Sequence, residues 1–163
     1  MWKTYKKTII LTIILILLPM VVGVALWDKL PLQMVTHWGV NNEPNGWMSR
    51  PMAVFGPPII CAALQVLATI ATEKDKRKEN LHRKSVAMVL WIIPAVTWVC
   101  SAVTYGYVFY EKINVGLICC LLVGLLFIAL GNQLPRQMQN HVFGIRTKLT
   151  LSDEDVWRAS HRF

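Results

Sequence analysis

Residues 8–27 read TIILTIILILLPMVVGVALW, twenty positions with no Asp, Glu, Lys, Arg or His. At about 1.5 Å per residue, a helix of that length covers the ~30 Å hydrocarbon core of a bilayer. Lys3, Lys6 and Lys7 precede it, as in a signal peptide. The run is longer than a typical signal core, however, and no small-x-small cleavage site stands near Ala25, so it reads as a retained first span.

Three more uncharged stretches follow, at 52–72, 85–107 and 114–131. In lipid the backbone must satisfy its own hydrogen bonds, which makes each a helix. The period-two alternation that a barrel needs is not visible. Of the 163 residues, 55% are hydrophobic and 16% charged, against about 25% charged in a typical soluble domain. The net charge of +8 would ordinarily point to nucleic acid. Here the basic residues sit at the ends of apolar segments, so direct nucleic-acid binding is not expected. The fold class is an all-α integral membrane helical bundle, with four transmembrane helices, a structured extracellular loop and an interfacial C-terminal helix.

The short connections orient the bundle. Lys3, Lys6, Lys7, Lys74, Lys76, Arg77, Lys78, Arg83, Lys84, Arg136, Arg146, Lys148, Arg158 and Arg162 fall on one side, and Lys29, Arg50 and Lys112 on the other. By the positive-inside rule, segments 1–7, 73–84 and 132–163 are cytoplasmic, and 28–51 and 108–113 are extracellular. The protein is thus expected in the cell membrane with both termini inside. The basic loop 73–84 holds topology and touches anionic lipid, or docks an acidic protein.

Pro57 and Pro58 are expected at the start of the second helix, where missing N–H groups cost little. Pro19 and Pro94 would kink their spans. Gly116, Cys120 and Gly124 form a small ridge that would admit a neighbouring helix. Cys61, Cys100, Cys119 and Cys120 lie in apolar segments without CxxC spacing and read as buried free thiols. In the outer loop, Pro44-Asn45-Gly46 is turn chemistry, and Trp27, Trp38 and Trp47 are expected to meet Tyr105, Tyr107, Phe109 and Tyr110. In the tail, Ser152 is expected to cap a helix opening with Asp153, Glu154 and Asp155. Val156, Trp157, Ser160 and Phe163 would share a face along the inner membrane surface.

Little in the chain resembles a reaction centre. His37 has only Asp28 and Glu43 as local partners and reads as structural, so no metal is expected. No H-E-x-x-H, G-x-S-x-G or P-loop is present, and no catalytic residue or cofactor is implied. The spans lack the ionisable groups of a pump or a proton-coupled transporter. Gln65, Thr69, Thr97, Ser101 and Thr104 are their most polar positions.

Two stretches resemble a known family. Leu30-Pro31, His37-Trp38-Gly39, Pro44-Asn45-Gly46-Trp47 and Ser49-Arg50 resemble the small domain of unknown function at the front of SdpI-type proteins. Gly131-Asn132, Leu134-Pro135, Asn140, Phe143-Gly144-Ile145-Arg146-Thr147, Thr150-Leu151-Ser152, Val156-Trp157-Arg158 and His161-Arg162 resemble their second signature. Relatives with both usually continue into two more helices, whereas this sequence stops at Phe163. The resemblance implies a bacterial immunity protein against a secreted, membrane-active peptide toxin, one that also holds a transcriptional repressor at the membrane. Carried over, His37, Trp38, Glu43, Pro44, Asn45, Trp47 and Arg50 would face the toxin. Gly131, Asn132, Pro135, Asn140, Gly144, Arg146, Thr147, Thr150, Trp157, Arg158, His161 and Arg162 form the cytoplasmic signature, with the basic loop and tail facing a repressor. The competing readings are a small transporter or its accessory subunit, which would depend on Gln65, and a membrane enzyme holding a lipid head group with Arg146 and Arg158.

Overall fold

The computed structural model describes residues 2–162, with side chains from Thr4 onward. Four long helices run α1 (Trp2–Ala25), α2 (Arg50–Lys74), α3 (Arg83–Phe109) and α4 (Val115–Gly131). Each is long and apolar enough to cross a membrane. A two-stranded hairpin, β1 (Gln33–Trp38) and β2 (Pro44–Ser49), joins α1 to α2, and the tail carries two short helices, α5 (Lys148–Ser152) and α6 (Glu154–Ser160).

The side chains are distributed inside out relative to a water-soluble bundle. Thr12, Gln65, Thr69 and Thr97 are buried on the span helices α1, α2 and α3, whereas Ile14, Val21, Ile60, Leu67, Leu121, Leu125 and Phe127 are exposed. Water would penalise that surface heavily. A bilayer does not, and it drives polar groups to find partners inside.

The prolines show this most directly. Proline has no N–H, so the carbonyl four residues earlier loses its helical donor. Pro19 frees the Leu15 carbonyl, which accepts from Trp98 Nε1 at 3.0 Å. Pro94 frees the Leu90 carbonyl, which accepts from Gln65 Nε2 at 3.0 Å. The same Gln65 amide donates to Thr12 Oγ1 at 3.0 Å. Gln65, the position on which a transporter would depend, is thus engaged in repairing a neighbouring helix. Pro57 and Pro58 are not at a helix start. The helix begins at Arg50 with Pro51 in its first turn, which leaves both residues in the interior of α2.

α4 stands apart. In the most apolar window of each span, 28% of residues are buried in α1, α2 and α3, but 6% in α4. Among the described residues the ridge of Gly116, Cys120 and Gly124 is therefore largely open: Gly116 meets the hairpin tip through its N–H, and a Cβ at Gly124 would meet no atom within 4 Å. The close helix approach is made elsewhere: a Cβ at Gly23 would fall 2.6 Å from Val54 Cγ1 and 2.7 Å from Tyr105 Oη. The cysteines are free, but Cys100, Cys119 and Cys120 are exposed on the helix surface and only Cys61 is part-buried. An apolar thiol facing lipid is as well solvated as one in a core, so nothing local in the chain distinguishes the two.

Candidate functional site

At one end of the bundle the hairpin is clamped on the helices. Met34, fully buried, packs with Leu30, Ala53, Val54 and Tyr105, and Tyr105 Oη donates to the Pro19 carbonyl at 3.1 Å. Strand pairing is antiparallel, with Gln33 opposite Ser49, Val35 opposite Trp47 and His37 opposite Gly46, and the ladder is irregular on both sides of His37. The turn does not fall at Pro44-Asn45-Gly46, which lies in β2. The chain reverses between Gly39 and Glu43, where Asn42 takes φ of 62°. Asparagine tolerates that conformation almost as glycine does, and it supplies a side chain that glycine lacks. Asn42 Oδ1 accepts from Val115 N at 2.7 Å and Gly116 N at 3.2 Å. Its Nδ2 donates to the Ile113 carbonyl at 2.9 Å. The hairpin tip thereby caps α4 together with Asn114, which accepts from Leu117 N.

The expected loop residues separate into props and exposed groups. Arg50 is a prop: one guanidinium nitrogen donates to the Trp27 carbonyl at 2.7 Å and the Leu30 carbonyl at 3.1 Å, and the group lies 4.5 Å from the Trp27 ring centroid. His37 Nδ1 donates to Asn45 Oδ1 at 2.5 Å. Gly46 makes room for that ring, since a Cβ there would lie 2.9 Å from His37 Cβ. Trp38 meets Tyr107 edge-on at 5.2 Å, and Trp27 meets Phe55 at 6.0 Å. Of the expected aromatic cluster, then, Trp38 and Tyr107 touch, while Tyr105 turns inward. Pro44 is part-buried, and Glu43 is exposed with its carbonyl accepting from Gly39 N. Trp47, Met48, Leu32, Val40 and Tyr110 are exposed. A groove of about 320 Å³ runs between β1, α3 and α4, lined by Trp38, Val99, Val103, Val115, Cys119 and Leu122 among others.

At the other end the tail folds back on the bundle. Asn140, fully buried, organises a tight loop: Oδ1 accepts from Val142 N and Phe143 N, and Nδ2 donates to the Met138 and Phe143 carbonyls. Gly144 has φ of 128°, where a Cβ would lie 2.5 Å from His161 Nε2. His161 Nδ1 donates to the Trp157 carbonyl at 2.7 Å and Nε2 accepts from Ile145 N at 2.9 Å, which together fix its tautomer. Its ring stacks on Trp157 at 4.1 Å. Thr147 and Thr150 form a capping box for α5. The next cap is one residue later than expected: Ser152 ends α5, and Asp153 accepts from Asp155 N and Val156 N to start α6. Trp157 faces the protein rather than the membrane. It is 1% exposed, and its Nε1 donates to the Gln137 carbonyl at 2.8 Å. Phe163, expected on the same face, lies outside the described residues.

Gln137, Gln139, Asp75 and His141 were not singled out in the sequence, yet they dock the tail. Gln137 Nε2 donates to Ser85 Oγ on α3 at 2.5 Å. Gln139 Oε1 accepts from Arg77, Gln139 Nε2 donates to the Thr150 carbonyl, and the Gln139 carbonyl accepts from Asn80. Asp75 accepts from Arg77 N, His141 N and His141 Nδ1. Burial, the largest single influence on Asp75, pushes its carboxyl up, but these donors and the facing His141 together hold it below the usual range. Gly131 ends α4, and Asn132, just past it, bonds back through its N–H to the Ile128 carbonyl. Pro135 sits in a short 3-10 turn. Arg146 donates to the His141 carbonyl, Arg158 pairs with Glu154 and Asp155, and Arg162 is exposed. Among the described residues, no three His, Cys, Asp or Glu side chains converge to hold a metal ion.

Apolar-coated helices with an internal polar lattice, a clamped hairpin and a docked tail define a multi-pass membrane protein. Residues 14–62 match the model of a domain of unknown function, DUF1648, and residues 137–163 that of the SdpI/YfhL protein family. The chain is 32% identical over 162 residues to the "Immunity protein SdpI" of Bacillus subtilis (strain 168), covering 97% of this chain and 74% of that protein. The chain belongs to the SdpI/YfhL protein family. No solved structure matches it.

Proposed function

We propose that the chain is an immunity protein that protects its own membrane from a secreted, membrane-active peptide. It acts without chemistry, by engaging the peptide at the hairpin end. The observation that carries this reading is the hairpin's construction: buried Met34 and part-buried Arg50 and Asn42 tie it to the bundle, while Leu32, Val40, Trp47 and Met48 are left exposed. Connectors are ordinarily polar, and a rigid apolar face costs little entropy when an amphipathic segment settles on it. The relative described as an immunity protein supports the same role.

The excess of Lys and Arg at the tail end, fourteen against three, supports an orientation with that end inside and the hairpin outside. In intact cells, a thiol reagent that cannot cross the membrane should label Asn41→Cys and spare Lys76→Cys; the reverse pattern would invert the assignment. A second role, holding an acidic repressor at the membrane, would use the exposed cations Lys76, Arg83, Lys84 and Lys148. The deciding test is protection of a toxin-sensitive strain. Trp47→Ala should reduce survival at equal membrane abundance. If Trp38→Ala combined with Trp47→Ala protects as well as the parent, the hairpin is not the recognition surface.

A further inference from the structure

Beside the docked tail, a recess of about 380 Å³ opens between the end of α2, α3 and the Asn140 loop. Its bundle side is apolar and small, formed by Ala68, Ala71, Val89 and Val142. Its outer side carries Lys74 and Arg146, both exposed. A narrow apolar slot of about 20 Å³ continues inward, sharing Ala68, Thr72, Val89 and Val142. Ala68 and Lys74 are six residues apart on one helix, so the apolar and cationic parts are separated by about 9 Å along the axis. That is the step from the acyl region to the phosphate of a lipid seated at the end of a transmembrane helix.

From this juxtaposition we propose that the recess binds one anionic phospholipid, its phosphate between Lys74 and Arg146 and an acyl chain along Ala68, Ala71 and Val142. The charge at the mouth favours an anionic head group. Asp75, the one acid in the lining, is buried and turned onto three N–H donors, one from Arg77 and two from His141. Arg146 already donates one N–H to the His141 carbonyl, which fixes its stem and leaves the rest of its fork for phosphate oxygens. Lys74 makes no ion pair among the described residues. The seat requires the tail to be docked, so the lipid would bridge α2 and the Asn140 loop. This proposal rests on the membrane fold and not on the immunity reading.

The test is native mass spectrometry of the full chain in detergent, titrated with phosphatidylglycerol or phosphatidylcholine of identical acyl chains. One phosphatidylglycerol should be retained per chain. Lys74→Gln with Arg146→Gln should weaken it about 30-fold, from two lost basic contacts. Ala71→Trp, which fills the seat and keeps both charges, should weaken it at least about tenfold. Lys6→Gln with Lys7→Gln, which removes the same charge from α1, should leave retention unchanged. Equal retention of phosphatidylcholine, or equal loss in the Lys6 and Lys7 pair, would mean diffuse attraction and overturn the site. Displacement by millimolar inorganic phosphate would make it a free-anion site and likewise overturn the proposal.

Discussion

Replacing Gln65 with leucine isolates the repair of a proline-broken helix inside the bundle. Gln65 is 1% exposed, and its Nε2 donates at 3.0 Å to the Leu90 carbonyl left without a partner by Pro94. Leucine nearly fills the same volume, so the cavity contribution is small and the lost donor dominates. Ordinary interhelical hydrogen bonds in membranes average about 0.6 kcal/mol, because the separated helices find other partners. A buried carbonyl with no donor costs more, about 1–3 kcal/mol. Thr12 loses only a donor to its hydroxyl oxygen and still donates to the Ile9 carbonyl at 3.0 Å. Gln65→Leu should therefore destabilise the bundle by about 2 kcal/mol, a factor of about 30 in the folded population. In the Pro94→Ala background, the restored N–H satisfies Leu90, and the same change should cost less than about 1 kcal/mol. Reversible unfolding by sodium dodecyl sulfate, followed by tryptophan fluorescence across the four variants, gives the coupling directly. Equal costs with and without Pro94 would show that Gln65 is held for some other reason, and would refute the argument.

Three further outcomes follow from the same kind of geometry. Asn42→Gly keeps the backbone conformation and removes the cap, so hydrogen exchange at Val115 and Gly116 should quicken about tenfold, from about 1–2 kcal/mol of lost bonding. The Leu117 amide, held by Asn114, should keep its protection. Gly144→Ala drives a methyl into His161 at a φ that alanine avoids, and should cost about 2–4 kcal/mol, read as faster proteolysis of the tail while the span helices stay intact. Asp75 sets the acid limit of docking. Its carboxyl is depressed in the folded chain, so its contribution is fully present above the unfolded value of about 3.9 and is lost as pH falls through the lower folded value. Tail protection from protease should hold near neutral pH and decline only as pH falls below the unfolded carboxyl value of about 3.9, and in Asp75→Asn it should be weaker throughout with the acid step gone.

What could be read from the chain was whatever a bilayer dictates. Four uncharged runs of sufficient length, with charge only between them, leave helices as the one structure that satisfies the backbone, and the positions of these runs follow. The signature residues were legible as a pattern but not as parts. Asn140, Gly144, Trp157 and His161 are one packed unit because Gly144 admits the His161 ring and Asn140 closes the loop. Trp157 and Val156 read as a membrane-facing stripe, since helical periodicity does not distinguish lipid from another part of the protein as the apolar partner. Pro44-Asn45-Gly46 reads as the turn of the outer loop because Pro-Asn-Gly has strong local preferences, whereas the reversal lies upstream, where Asn42 makes tertiary bonds to the start of α4.

The sequence by itself determined the number of spans and where they lie, because hydrophobic length and charge placement act locally and add along the chain. Only the tertiary structure decided which carbonyls the prolines orphan and who serves them, which tryptophan props and which is exposed, and how Gln137, Gln139 and Asp75 seat the tail. Those outcomes depend on atoms 20 to 83 residues apart in the chain meeting at hydrogen-bond distance. No local propensity encodes such meetings, and they are fixed only when the helices pack.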